Sequence, residues 1–206
     1  MVALLDVSRS YLAFMQEIKW RFKCTIERLG AIRASPQATH HIIDAELCYL
    51  QLRFICELVA LASLSAHHEF GLNKDLLKAW SADDIFTRLE AINPFCFPAP
   101  ITLTVDRDRN KQFSHSPDRA LSKQDLCDIY GQSGNALHRG RLKHMLASKT
   151  KYYDLDRLEA SMQSIWLLLA EHLILFPATG KALLVHMGGP SDEVTVLEAE
   201  SDGPFM

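Results

Sequence analysis

The chain has 206 residues and a mass of 23.3 kDa, with 48% hydrophobic residues, 23% charged residues and a formal net charge of -3 at pH 7. A chain of this size buries roughly 70% of the surface its unfolded form exposes, so one domain with a full core is expected over residues 1–206. Intrinsic disorder, which needs low hydrophobicity and high net charge, is excluded. Met1-Val-Ala-Leu-Leu-Asp6 has neither a basic leader nor a long apolar stretch, which is not the pattern of a secretory signal. Leu47–Ala66, interrupted by Arg53 and Glu57, and Ile165–Phe176, interrupted by Glu171 and His172, are the most apolar stretches. Both fall short of the roughly 20 uninterrupted apolar residues of a membrane span and are expected as core helices. Cys24, Cys48, Cys56, Cys96 and Cys127 are scattered with no Cys-x-x-Cys pair. That pattern reads as reduced thiols in a cytoplasmic protein, four of them (all but Cys96) among apolar neighbours, and not as a disulfide framework or a zinc site.

Along the chain, Tyr11, Met15, Ile18, Phe22, Ile26 and Leu29 recur at spacings of three and four, which predicts an amphipathic helix from Ser8 to Gly30. Ser35-Pro36 then supplies an N-cap and a proline at the first helical position, and a second helix is expected to about Glu69, apolar on most sides and therefore central. At about 100° per residue, Glu46, Arg53 and Glu57 fall within about 40° of one direction on it. This polar stripe reads as a structural ion-pair ladder, as a polar cleft or as a dimer contact. Asn73–Trp80 is a short helical candidate, and Ser81-Ala-Asp-Asp84 resembles a capping box for a helix that Asn93-Pro94 closes.

Residues 93–119 hold four prolines, and Ile101-Thr-Leu-Thr-Val105 alternates as a strand does. Asp106–Asn110 turns it back into Lys111–His115 as a small hairpin, or the stretch is a disordered loop. Ser122-Lys-Gln-Asp125 starts a further helix, in which Gly131 and Gly134 mark a bend, a break or a packing requirement. Asp154 caps a strongly periodic helix that Phe176-Pro177 ends. Lys181–Met187 and Val194–Leu197, joined by Gly188-Gly-Pro-Ser-Asp192, read as a β-hairpin. The fold class is thus mainly α, a helical bundle over about residues 8–175 with one or two small β-hairpin additions, the C-terminal one over about residues 181–199.

Charge is unevenly spread. Residues 107–151 carry ten Lys or Arg against four Asp or Glu, which is +6 and leaves -9 for the rest of a chain whose total is -3. The densest part, His138-Arg-Gly-Arg-Leu-Lys-His144 with Lys149 and Lys151, has Tyr152 and Tyr153 beside it. Arg141, Lys143, Lys149 and Lys151 suit neutralisation of phosphates while the aromatics stack on bases. The same run also reads as a solvated basic loop.

The long helices, with Glu46-Leu-Cys-Tyr-Leu-Gln-Leu-Arg-Phe-Ile-Cys-Glu57 in one and Tyr130-Gly-Gln-Ser-Gly-Asn-Ala-Leu-His-Arg-Gly140 later, resemble the HEPN superfamily of prokaryotic helical proteins. The resemblance implies a homodimer. In active members, an Arg followed after four to six residues by His serves metal-independent RNA cleavage at the dimer interface. Arg139/His144 fits this spacing, as do Arg109/His115 and Arg33/His40. The resemblance assigns catalysis to Arg139 and His144, with His138 as substitute for the histidine. A histidine near its usual pKa of about 6.5 serves as general base or acid toward a 2′-hydroxyl. The arginine would stabilise charge on the phosphate.

No metal and no cofactor is expected. His40-His41 and His67-His68 flank opposite ends of the long helix and cannot share an ion within one chain, and adjacent helical histidines point in different directions. Gly-x-Ser-x-Gly, a phosphate-binding glycine loop and a dinucleotide fingerprint are all missing, which removes the common hydrolase, kinase and dehydrogenase readings. Two functions remain: an RNA-interacting protein, of which a metal-independent endoribonuclease is the catalytic form, or a non-catalytic helical module binding a protein or small ligand. The first places the basic residues at a cleft, and the second places an apolar patch or pocket elsewhere.

Overall fold

The computed structural model describes residues 2–35, 41–68, 76–79, 81–105, 111–119, 121–138, 152–189 and 192–200. Its first element, α1 (Val2–Ala34), is longer than the apolar period alone requires. Gly30 does not end it. The helix continues one turn further because that turn buries Ile32 and lets Arg33 donate to Asp156 (2.7 Å) and Glu159 (2.6 Å). Tyr11, Met15, Ile18, Phe22 and Leu29 face the core as expected, whereas Ile26 is 61% exposed and Thr25, back on the stripe, is buried in its place.

The central helix α2 (His41–Ala66) runs antiparallel to α1, as Arg21 on Gln51 and Arg28 on Asp44 fix. Among the described helices it is the one long and apolar enough to cross a membrane, and most of it is buried against this chain's other elements. Leu76–Lys78 forms a single 3-10 turn where a short helix was expected, the rest of Asn73–Trp80 lying largely outside the described residues. Helix α3 (Ala82–Glu90) starts at Ser81, whose hydroxyl accepts from the Asp84 amide. In α4 (Lys123–Leu137), Ser122 and Asp125 cap each other's backbone amides at 3.0 and 3.1 Å. Neither Gly131 nor Gly134 breaks it.

The expected last helix needs correcting. α5 (Leu155–Ala170), capped by Asp154 on the Arg157 amide, stops before Glu171, and Glu171–Phe176 is a strand. Its terminal carbonyls are satisfied from outside the helix: His172 Nδ1 donates to Leu169 at 2.9 Å and the Met187 amide to Ala170 at 2.9 Å. The strand then buries His172, Ile174 and Phe176 on one face by simple alternation.

That strand changes the architecture. β1 (Ala99–Val105), β2 (Lys111–His115), β3 (Glu171–Phe176), β4 (Lys181–His186) and β5 (Thr195–Glu200) form one antiparallel sheet in the order β2-β1-β3-β4-β5. The two expected hairpins are therefore not separate attachments, because β3 pairs with β1 on one side and β4 on the other. The protein is mainly helical, with five α-helices and a small five-stranded sheet among the described residues. One contiguous set of buried side chains runs from Tyr11 and Phe22 on α1 through α2 to Ile174 and Val185 of the sheet. Lys19 of α1 ties the β4–β5 connection to that core, donating to the carbonyls of Met187 (2.5 Å) and Asp192 (2.7 Å).

Candidate functional site

The polar stripe of α2 does not form the single ladder of one reading. Arg53 Nε lies 3.3 Å from Glu57 Oε1 one turn on, while Glu46 instead accepts from the Tyr153 hydroxyl at 2.5 Å. The Arg53 guanidinium also reaches across to α4, donating to the Tyr130 hydroxyl and covering its ring at 4.1 Å. The pKa of Tyr130 is raised, first by burial and further by Glu57, against the lowering effect of Arg53. Arg53 and Glu57 keep side-chain exposures of 25% and 21%, so this is a half-buried polar seam and not a sealed core pair.

Gly134 makes the seam possible. A Cβ there would fall on the Arg53 guanidinium, whereas one at Gly131 would meet nothing within 4 Å. Of the two helical glycines, one is thus a packing requirement. Cys56 of α2 interacts with Cys127 of α4, and Arg53 meets Tyr130 and Gly134, so later residues of α4 meet earlier residues of α2. The two helices run antiparallel, and α4 ends at Leu137 with exposed His138 in extended conformation. The described chain resumes at Tyr152, 86% exposed, followed by Tyr153, whose ring packs tilted at 45° against Tyr49 of α2, centroids 5.9 Å apart. Tyr49 in turn donates to the Asp154 carbonyl at 2.8 Å. The C-terminal border of the basic segment, Tyr153, therefore lies against the first half of α2, and α4, which leads into the segment, packs on the same helix.

Of the residues the sequence singles out, Arg139, Arg141, His144, Lys143, Lys149 and Lys151 lie outside the described residues. So do Arg109 and His40, which leaves one member of each of the other two Arg–His pairs. His115 is exposed at the end of β2, and Arg33 is engaged by the two α5 carboxylates, which raise its pKa. His67 and His68 do point apart: the first is buried, the second exposed. Among the described residues no three His, Cys, Asp or Glu gather as metal ligands do.

The cysteines divide. Cys48, Cys56 and Cys96 are buried and Cys127 half-buried, and burial pushes the thiols of Cys48, Cys96 and Cys127 up to about 11, which keeps them protonated at neutral pH. Cys24 is exposed, contrary to its apolar neighbourhood in sequence.

Three features escape sequence reasoning. His172 is fully buried, its Nε2 accepting from the Tyr11 hydroxyl at 2.8 Å while its Nδ1 proton goes to Leu169; burial lowers its pKa to about 4 and raises that of Tyr11. His67 is held likewise, Nδ1 donating to the Ser63 carbonyl (2.7 Å) and Nε2 accepting from Asn93 (2.8 Å), with its pKa lowered by burial. These pairs span 161 and 26 residues, and a single sequence carries no signal for them. The third is a mainly apolar groove of about 310 Å³ between α1 and α2, floored by Cys48 and Leu47, with Trp20 on its lip at 75% exposure. Its signal was readable, since Trp20 sits about 160° from the helix face that Ile18 and Phe22 bury.

The chain matches no protein-family model, no curated protein and no solved structure.

Proposed function

We propose that this protein is an RNA-interacting protein of HEPN-like kind, acting in the cytoplasm as a metal-independent endoribonuclease. The observation that supports it is that Tyr153 meets Glu46 and Tyr49 of α2 while α4 packs on the same helix through Tyr130 and Arg53, so both elements that border the segment with Arg139, Arg141, Lys143, Lys149 and Lys151 sit against the helix that bears the polar stripe. In this reading the helical bundle of α1, α2 and α4 carries the site. The five cations neutralise phosphates, and exposed Tyr152 stacks on a base. His144, or His138 in its place, takes the proton of the 2′-hydroxyl, Arg139 stabilises the phosphate charge, and no metal or cofactor enters the reaction.

The test separates binding from turnover. Purified protein is incubated with total RNA in EDTA, beside His144→Ala, His138→Ala, His115→Ala and Arg139→Ala, and RNA binding is titrated over a range of salt. Loss of the general base should slow cleavage by about 10²–10⁴-fold in His144→Ala or His138→Ala and leave it unchanged in His115→Ala. If all five cations engage single-stranded RNA, log K should fall with log salt with a slope of about -3.5. Intact RNA together with salt-independent or undetectable binding would overturn the proposal.

One observation favours a second reading, a non-catalytic interaction module: an apolar groove with exposed Trp20 on its lip opens between α1 and α2, on a different flank of α2 from the polar stripe. Under that reading RNA is untouched, and substitution of Trp20 abolishes partner or ligand binding while substitution of Arg139 and His144 has no effect.

A further inference from the structure

Glu17, Trp20, Arg21, Cys24 and Arg28 recur on α1 at steps of three, one, three and four, which gathers them on one side of the helix. All five border the groove, whose floor belongs to α2. The face thus carries a large exposed ring immediately beside an apolar depression, with an acid at one end and a base at the other. Glu17 has 47% and Arg28 44% of its side chain exposed.

We propose that this face is the contact by which two copies of the chain associate, each inserting Trp20 into the groove of the other. A closed two-fold contact uses the same patch twice, so the patch must be self-complementary: what projects must fit what is hollow, and like charges must not face each other. Two α1 helices crossing antiparallel on an axis between Phe22 and Lys23 meet both conditions. Glu17 of one copy then stands opposite Arg28 of the second copy, and Arg21 opposite its Cys24. Trp20 falls against the second copy's Cys24 and Thr25, the small residues at the groove wall.

Parallel crossing fails the same conditions, because it sets Glu17 on Glu17 and Trp20 on Trp20. A buried Trp ringed by polar side chains is also the usual anatomy of an interface hot spot. The charges already have partners within the chain, Glu17 with Arg21 at 2.5 Å and Arg28 with Asp44. Those pairs hold the side chains in place on the rim, so the contact extends an ordered network. This inference rests on the α1–α2 face alone and not on the RNA reading.

The test is sedimentation equilibrium of the full chain up to about 100 µM, a range that populates even a weak specific dimer. Trp20→Ala should weaken the dimer by about 30-fold or more. Glu17→Arg and Arg28→Glu should each weaken it, and the double variant, which exchanges the two charges, should restore association. Circular dichroism and thermal melts of every variant establish that the fold persists. A monomeric wild type, or a dimer that survives Trp20→Ala, overturns the proposal. So does a double variant no better than its parents while all remain folded. RNA binding, read on the same samples, reports on the separate RNA reading.

Discussion

Gly131 and Gly134 lie one turn apart in α4, and replacing each by alanine should have opposite consequences. Alanine in a helix interior is favoured over glycine by about 1 kcal/mol. At Gly131 nothing stands within 4 Å of the added carbon, so the whole gain should be realised. At Gly134 the new methyl group must displace the Arg53 guanidinium. That breaks a charged hydrogen bond to Tyr130, worth about 1.5–3 kcal/mol in general, and a cation–π contact worth about 0.5–1 kcal/mol. Partial exposure of Arg53 discounts both, which leaves a net loss of about 1 kcal/mol and a gap of about 2 kcal/mol between the two variants. Equilibrium urea unfolding would read this as midpoints moving in opposite directions at constant m. In an Arg53→Ala background the obstacle is gone, and Gly134→Ala should then gain the same 1 kcal/mol or so as Gly131→Ala. Equal stabilisation by both substitutions in the Arg53 protein would refute the claim that Gly134 exists to admit that side chain.

Burial holds His172 neutral down to about 4 in the folded chain, while the unfolded chain takes up a proton near the ordinary value of 6.5. The unfolded state therefore binds more protons in that window, so stability is complete above pH 6.5 and falls by up to about 3 kcal/mol as the pH drops to 4. His172→Gln, which keeps an acceptor for Tyr11, should flatten the dependence of the urea midpoint on pH across the window, and an unchanged slope would count against this assignment. Ser63 is fully buried on α2, and its hydroxyl has no hydrogen-bond partner among the described residues, so Ser63→Ala should stabilise by about 1 kcal/mol in the same assay, and a loss of stability would mean the hydroxyl has a partner.

Local chemistry was legible where it is self-contained. Ser81, Ser122 and Asp154 cap the helices they were expected to cap, because a cap needs only residues three positions apart. The centrality of α2 followed from its apolar residues on nearly all sides. Reading failed where a distant partner decides. Glu171–Phe176 is apolar enough to prolong α5, and what stops the helix is a histidine two residues past its end together with the amide of Met187. Once those carbonyls are satisfied from outside, the alternation His172, Ile174, Phe176 finds a sheet to join. Gly30 failed for the same reason: the carboxylates that hold the last turn of α1 through Arg33 are 123 and 126 residues away. At the candidate site the stripe was visible, but its partners Tyr130 and Tyr153 were not.

The two surfaces singled out by different arguments are neighbours. At about 100° per residue, Glu46, Arg53 and Glu57 occupy one flank of α2, and Leu47 and Gln51, which line the groove, occupy the other. Between them run half-buried Leu50 and Phe54, with Arg21 of α1 lying over the Phe54 ring at 4.8 Å. The separation is thus less than one helix diameter, about 10 Å. A second copy seated on the groove would set its rim beside the seam from which the basic segment departs, so two such segments would flank one interface. Under these two proposals Arg53, a half-buried cation bonded to Glu57 and Tyr130, stands at the border of both surfaces. A helix buried on most sides gains little from three charges along one flank. Retaining them makes physical sense where that flank faces a polar ligand, which is the position the proposed reading gives it.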